Sequence, residues 1–450
     1  MEAVINAPAR PRPPVIKGLP IVGNLFHLMR DPFAFFFAQY RKAGPAFQVK
    51  VLNQTFTVLA GKEAHELMTV NERHLDSWET WEGVINDFGG EKVVAMVGGE
   101  MHARYRRVLR QGMSRATITN NVPTLFEIVK HSLDAYQPGD RIQVMPFIRQ
   151  LVSNELGTLS LGMPAGEYLP DFLTFWSTLL QVRLAKAWPE SKLKTQKYLQ
   201  AKARVEEMVK EIAEKARRGE LKDGESNLAT DILKAMETDP DLFSEREMLF
   251  NMMIPYIAGL DTVANTLGFM IYHVMADPAL KARIQAEIDH AFEQGDFSIN
   301  SLREMETLHS TAMEVMRYYP IAAPLTRYAA EDFEFAGYHI HKGERLMVMP
   351  AAAHFSPQYY KEPDKFDPDR FLPPRSEHKQ KGVYSPYGAG THTCMGASMA
   401  EVQVPLTLMA LMRYARLEID PPGYKVKRVY DPSLSPGKSF YLKMVERLAD

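Results

Sequence analysis

Apolar and polar positions change their period several times along the chain, and each change marks an element. From Ala46 to Ala60 they alternate, with a polar break at Asn53–Gln54, which predicts a β-hairpin. Most of residues 100–320 follows the three-to-four-residue spacing of helices. Ser244 followed by Glu247 fits a capping box and opens an apolar-rich segment that runs to about Met275. At 1.5 Å per residue that segment would make a helix of about 45 Å, with a kink at Pro255. Ser301 and Glu304 form a second capping-box match, and Pro320 closes the helix it opens. From Asp332 to Pro350 the pattern shortens to small strands around turn residues. Residues 355–393, rich in Pro, Gly, Asp and Lys, form a long irregular segment of the kind that is usually functional or disordered. Helix resumes from about Gly396 to Arg416.

These elements describe a mainly α protein with a small β-rich subregion. No linker separates two parts, so the expectation is one large unit over residues 21–450, preceded by a strap over 1–20. Pro8, Pro11, Pro13, Pro14 and Pro20 keep that strap extended.

Composition narrows the chemistry. The 450 residues are 46% hydrophobic and 24% charged, with a formal net charge of −2, so no basic field argues for nucleic acid. The single cysteine excludes an internal disulfide and a Cys-rich zinc or iron–sulfur site. No apolar run reaches the roughly 20 residues of a membrane span, and Met1 to Arg12 lacks the apolar core of a signal peptide. A soluble cytoplasmic protein is expected; a peripheral membrane contact through the N-terminal arm or an apolar surface loop is the alternative.

The lone cysteine stands in Tyr387-Gly388-Ala389-Gly390-Thr391-His392-Thr393-Cys394-Met395-Gly396, at the end of a Gly-rich loop and just before a helix. Backbone N–H groups and a helix N-terminus favour a thiolate there, which predicts a lowered thiol pKa. Glycines at 388, 390 and 396 would let the backbone approach a large flat group. Glu314 and Arg317, three apart, share one helix face and can pair. Asp261-Thr262 follows Ala258-Gly259 within the long apolar segment, where Thr262 can donate to the carbonyl four residues back.

Together these motifs resemble the cytochrome P-450 family. Aromatic-x-x-Gly-x-x-x-Cys-x-Gly is similar to its haem-binding signature, with Tyr387 where Phe is usual. Phe366-Asp367-Pro368-Asp369-Arg370-Phe371 resembles its Pro-Glu-Arg-Phe motif, with Asp369 in place of Glu. Ala258-Gly259-Leu260-Asp261-Thr262 resembles its oxygen-activation motif. The resemblance implies haem b (iron protoporphyrin IX) held by the Cys394 thiolate, with Tyr387, Gly388 and Ala258 against the macrocycle and His102, Arg106, Arg327 and His392 on its propionates. It implies that Arg370 joins Glu314 and Arg317 to pin the Cys-bearing loop, and that Asp261 and Thr262 guide protons to dioxygen.

The activity implied is insertion of one oxygen atom of O2 into a lipophilic fatty acid, terpenoid, steroid or polyketide. Trp78, Trp81, Phe88, Phe172, Ala322, Leu325 and Leu434 are the candidate pocket lining, with core packing the competing explanation for each aromatic. Arg183 is weighed as an anchor for a substrate carboxylate against an ordinary surface role. Only residues 395–450 follow Cys394, too few for a flavin or ferredoxin module, so the expectation is that electrons come from a separate ferredoxin, flavodoxin or flavoprotein. Arg104, Arg107 and Arg110 are candidate docking charges for such a donor. The alternatives are a haem-thiolate isomerase, dehydratase or peroxygenase, and a non-catalytic haem sensor; neither needs the Asp261–Thr262 pair.

Overall fold

The structure, a computed structural model, describes residues 10–88, 90, 92–221, 227–293, 295, 297–430 and 433–448. It is mainly helical with small sheets, as the patterning predicts. Contacts divide it into two compact units.

The smaller unit gathers residues 1–80, 323–365 and 376–393. Its five-stranded sheet is built on the expected hairpin, Ala46–Val51 paired antiparallel with Gln54–Ala60. The turn falls on Leu52–Asn53, one residue earlier than the polar break suggests, and Leu52 takes a positive φ. Arg345–Met349 pairs parallel to the second hairpin strand and antiparallel to Leu325–Ala329. Phe47, Val49, Val58, Leu59, Leu346 and Val348 are fully buried there, and each such side chain contributes about 1.5–3 kcal/mol. The strap is extended from residue 10 onward and docks on the sheet edge, where Ile16 N–H donates to the Gln48 carbonyl and Gln48 N–H to the Pro14 carbonyl, both at 2.8 Å. Residues 1–9 of the expected strap lie outside the described residues.

The larger unit holds residues 81–322, 366–375 and 394–450. Two helical expectations are corrected here. The segment from Ser244 to Ala276 is not one kinked helix. Ser244 does cap Glu245–Met252 in a full capping box, but the backbone then widens into a π-turn over Pro255–Leu260 before Asp261–Ala276 resumes the α-helix. Proline offers no N–H to the preceding turn, and the widened ladder accommodates that loss. The second capping box does not form. Ser301–Arg303 is a short 3-10 turn, and the helix starts later, at Glu306–Tyr318, without a side-chain cap of its own. Its first N–H groups go instead to Glu287 of helix Pro278–Phe292, which accepts from Thr307 at 2.7 Å and from Leu308 at 3.0 Å. A carboxylate from a neighbouring helix has displaced the local cap, satisfying the same orphan donors.

Helix Ala397–Tyr414 runs through the core of this unit and is secured by a buried polar cluster. Glu155, on helix Val144–Leu156, accepts from Gln403 at 2.7 Å and Thr407 at 2.8 Å and is fully buried. Burial pushes its carboxyl up to about 7, against the two hydrogen bonds, which pull it down. The folded chain therefore keeps the proton up to about pH 7, whereas the unfolded chain releases it near 4.5. This contribution to stability is complete below pH 4.5, falls as pH rises through 7, and amounts to about 3 kcal/mol. Glu155→Gln is expected to be more stable than the parent at pH 8–9 and no more stable at pH 5. The Oε1 of Gln403, which lacks a hydrogen-bond partner, can accept from the new amide after a flip. Thermal midpoints across that range check it; an equal gap at both ends would refute the buried-proton account.

Candidate active site

The larger unit carries Cys394 just ahead of helix Ala397–Tyr414, with Gly396 as its N-cap. The sulfur accepts from the N–H groups of Gly396 and Ala397 and feels the Arg106 guanidinium, all of which lower the thiol pKa. Loss of hydration outweighs them and leaves the pKa above its ordinary value. That corrects the expected lowering. Cys394 is nonetheless open to solvent. A sulfur both accessible and poorly hydrated is recessed, with its donors already in place. Such a thiol is a weak free nucleophile but a good ligand, because a metal ion deprotonates it outright.

Ala258 and Thr262 lie on and just after the π-turn. Ala258 is exposed between buried Tyr256 and Leu260. The Thr262 hydroxyl donates to the Ala258 carbonyl at 2.7 Å and approaches that of Gly259 at 3.2 Å. It thus bonds two carbonyls of the widened turn. Asp261, beside it, pairs with Arg149 of helix Val144–Leu156 at 3.0 Å. His102 is buried and Arg106 half-buried on helix Gly99–Leu109, one turn apart.

Glu314, Arg317 and Arg370 are fully buried together. Glu314 takes Arg317 in a two-pronged pair at 2.6 and 2.8 Å, Arg370 at 3.1 Å, and the N–H of Asp367 at 2.8 Å. The substituted Asp369 stays outside this cluster and pairs with Arg283 at the surface. Below the motif, His273 stacks on Phe366 with ring centres 3.5 Å apart, and burial pulls its pKa down to about 3, so it is neutral.

In the smaller unit, Glu72 organises the loop that leads to the cysteine. Its carboxylate accepts from Thr391 N–H and Oγ1, each at 2.7 Å, and lies 3.9 Å from His392 Nε2. It also faces Arg327, whose pKa is held below its ordinary value by burial and pushed back up by Glu72 and Asp76. The glycines divide the expected work unequally. At Gly390 a Cβ would fall 2.0 Å from the Met68 carbonyl oxygen, so the protein's own backbone demands glycine there. Gly388 needs only its positive φ, and Gly396 opens on to free space. Half-buried Tyr387 precedes this turn.

The candidate lining residues differ among themselves. Phe88 packs edge-on against Phe175 and Phe250, and Phe172 meets Tyr256 at a tilt. Leu434 is buried, Trp81 and Leu325 are half-buried, and Trp78 and Ala322 are exposed. Arg183 is engaged by Asp87 and Glu190, each at 2.6 Å, so it is not held ready for a substrate carboxylate. Arg104 pairs with Asp239, which removes it from the expected docking charges; Arg107 and Arg110 are exposed. Glu72, Arg149 and Glu155 escaped the sequence reading. Each acts on a partner over a hundred residues away, and no local pattern marks such a pairing.

The donor set of the larger unit fits a haem: one thiol with N–H groups on its sulfur, an exposed alanine on a widened helical turn, and buried His102 one turn from half-buried Arg106. Comparison with known proteins agrees. The family model for cytochrome P450 matches residues 13–444. The chain is 25% identical to the taxane 10-beta-hydroxylase of Taxus cuspidata, covering 97% of this chain and 90% of the relative. It is 24% identical to an abscisic acid 8'-hydroxylase of Solanum lycopersicum over 90% and 86% of the two chains. A retinoic-acid-bound cyanobacterial structure superposes with a TM-score of 0.83 at 22% identity, covering 98% of this chain and 100% of that one. No helix among the described residues is long and apolar enough to cross a membrane. The chain belongs to the cytochrome P450 family and is a haem-dependent monooxygenase.

Proposed function

We propose that this monooxygenase hydroxylates a neutral, lipophilic terpenoid, with Cys394 as the thiolate ligand of its haem. The observation that carries the reading is the π-turn. Ala258 is exposed on it, and the Thr262 hydroxyl bonds two of its carbonyls, beside an Asp261 whose charge Arg149 already balances. The exposed face of that turn is therefore apolar, with one hydroxyl. Haem, when bound, supplies the activation of O2 and the oxygen transfer, with electrons from a separate redox partner. The chain supplies position, a dry surface and protons. Thr262 holds a proton donor within reach of the site, and Asp261, released from Arg149, connects it to solvent. His102, Arg106, Arg327 and His392 are suited to the two propionates, and Tyr387 and Gly388 to the edge of the macrocycle.

The substrate class draws on two further points. Arg183 and Arg149 are both occupied by carboxylates, which favours an uncharged substrate. The names of two relatives, a taxane hydroxylase and an abscisic acid hydroxylase, support an isoprenoid skeleton; the second is named for an acid, so the neutral character rests on the occupied arginines alone. Among the lining candidates, Trp78 and Leu325 of the smaller unit and Trp81 and Ala322 of the larger have surface to offer. Exposed Arg107 and Arg110 are suited to an acidic ferredoxin or flavodoxin. The acid–alcohol pair also separates this reading from a haem-thiolate isomerase, peroxygenase or sensor, which have no use for it.

The test is a low-to-high spin shift of the ferric protein across a library of neutral terpenoids, steroids and fatty acids. Turnover of the hits with a surrogate ferredoxin system follows. A shift confined to fatty acids would overturn the terpenoid assignment, and turnover with hydroperoxide alone would overturn the reductive one. Thr262→Ala is expected to keep most substrate-dependent reductant consumption while product per reductant falls roughly tenfold or more, the remainder appearing as peroxide. Unchanged coupling would remove Thr262 from proton delivery.

A further inference from the structure

The short hairpin Phe333–Phe335 with Tyr338–Ile340 in the smaller unit carries a cluster that oxygen chemistry does not use. Phe333, Phe335 and Ile340 point into the core and are buried. Side chains alternate along a strand, so the other face of the hairpin presents Glu334 opposite His339. One step further in the same register, Asp332 lies beside His341. Three of these groups approach closely. His339 Nε2 is 3.1 Å from His341 Nδ1. Asp332 Oδ2 is 3.5 Å from the first and 3.9 Å from the second.

Those three separations define a triangle whose equidistant point lies about 2.1 Å from every corner, which matches zinc–imidazole and zinc–carboxylate bonds. The carboxylate is also oriented for the task. Asp332 Oδ1 accepts the backbone N–H of Lys342 at 2.8 Å, leaving Oδ2 toward the histidines. A fixed outer contact of this kind raises the affinity of a ligand set. The imidazoles are held by their backbone: His339 N–H donates to the Pro11 carbonyl at 3.0 Å, where the N-terminal strap crosses the hairpin.

We propose that Asp332, His339 and His341 form a surface site for a divalent zinc ion, with water as the fourth ligand. Two imidazoles and one carboxylate suit zinc, nickel and copper far better than magnesium or calcium, whose ligands are all oxygen. The competing account is a bare hydrogen-bonded chain, in which one imidazole donates to the other and Asp332 balances the charge.

The experiment uses the haem-loaded protein, washed with EDTA, dialysed and titrated with zinc chloride in a non-chelating buffer by calorimetry. One ion per chain should bind with a Kd on the order of 1–10 µM. The affinity should fall tenfold or more in Asp332→Asn and vanish in the His339→Ala/His341→Ala double variant. All three residues are solvent-accessible, so haem content and the CO spectrum should not change. Zinc-edge absorption of the loaded parent protein should show two imidazole shells, a readout that needs no variant. Equal binding by parent and double variant, or no binding by the parent below about 100 µM, would overturn the site.

Discussion

Replacing Cys394 by Ser should abolish monooxygenase turnover, by at least about a hundredfold, while leaving most of the polypeptide folded. Three features of the structure converge on the sulfur: the N–H groups of Gly396 and Ala397, the Arg106 guanidinium, and a recess that strips its hydration. The first two favour a negative sulfur, and the third disfavours it more strongly. A metal ion bound to the sulfur would deprotonate it outright. Serine keeps the shape and the N–H contacts but ionises far less readily than a thiol. Its oxygen cannot donate electron density as sulfur does, and that donation is what favours O–O cleavage. The reduced CO complex reports this directly, since a red-shifted Soret band requires a thiolate. A Cys394→Ser protein that kept the shifted band would refute the assignment. A variant with its haem content lowered but its helical circular dichroism intact is the expected result, because no core residue is disturbed.

The parts of this site that could be read in the sequence are those whose partners lie within one turn or one loop. Cys394 and its flanking glycines form one continuous segment, and Glu314 and Arg317 are three residues apart, so spacing alone places each set. Asp261 and Thr262 were legible for the same reason, although the π-turn that exposes Ala258 was not. Pro255 announces a disturbance of the helix, but whether the ladder bends or widens depends on what packs beside it. Contacts that close over long stretches of chain left no local trace. Glu72 reaches Thr391 across 319 residues, and Arg149 reaches Asp261 across 112. Neither carboxylate–donor pair has a periodicity to betray it.

Two misreadings share a cause. Ser301 with Glu304 satisfied a local pattern, yet Glu287 of another helix capped Thr307 and Leu308 instead. The Gly-rich spacing predicts room for a flat group at Gly390, and the structure puts the Met68 carbonyl there. In both, tertiary packing supplied a partner that the pattern assigned locally. The thiol pKa departs from its local expectation for the same reason. Its N–H donors are sequence-local and were anticipated, whereas desolvation is a property of everything around the sulfur.

Removing Glu314 should have the largest effect on stability of any single change at this site. Its carboxylate lies between two guanidiniums with no solvent access to any of the three, and it also holds the Asp367 N–H. Glu314→Ala leaves Arg317 and Arg370 buried without the charge between them. Breaking a buried pair in this way costs about 3–5 kcal/mol, a large fraction of the usual margin of a folded domain. Segment 366–375 loses its anchor to helix Glu306–Tyr318 at the same time. The expected result is a fall of roughly 5 °C or more in the thermal midpoint, with poor recovery of haem-loaded protein. Arg370→Met should cost less, because the two-pronged Glu314–Arg317 pair survives it. Arg283→Ala is the control: it cuts the exposed pair to Asp369 on the same segment and should shift stability by no more than about 0.5 kcal/mol. The ordering Glu314→Ala worst, Arg370→Met intermediate and Arg283→Ala near neutral distinguishes a buried charge cluster from mere loss of contacts along the loop. If Arg283→Ala proved as damaging as Glu314→Ala, the segment would be held by its surface and not by the carboxylate beneath it.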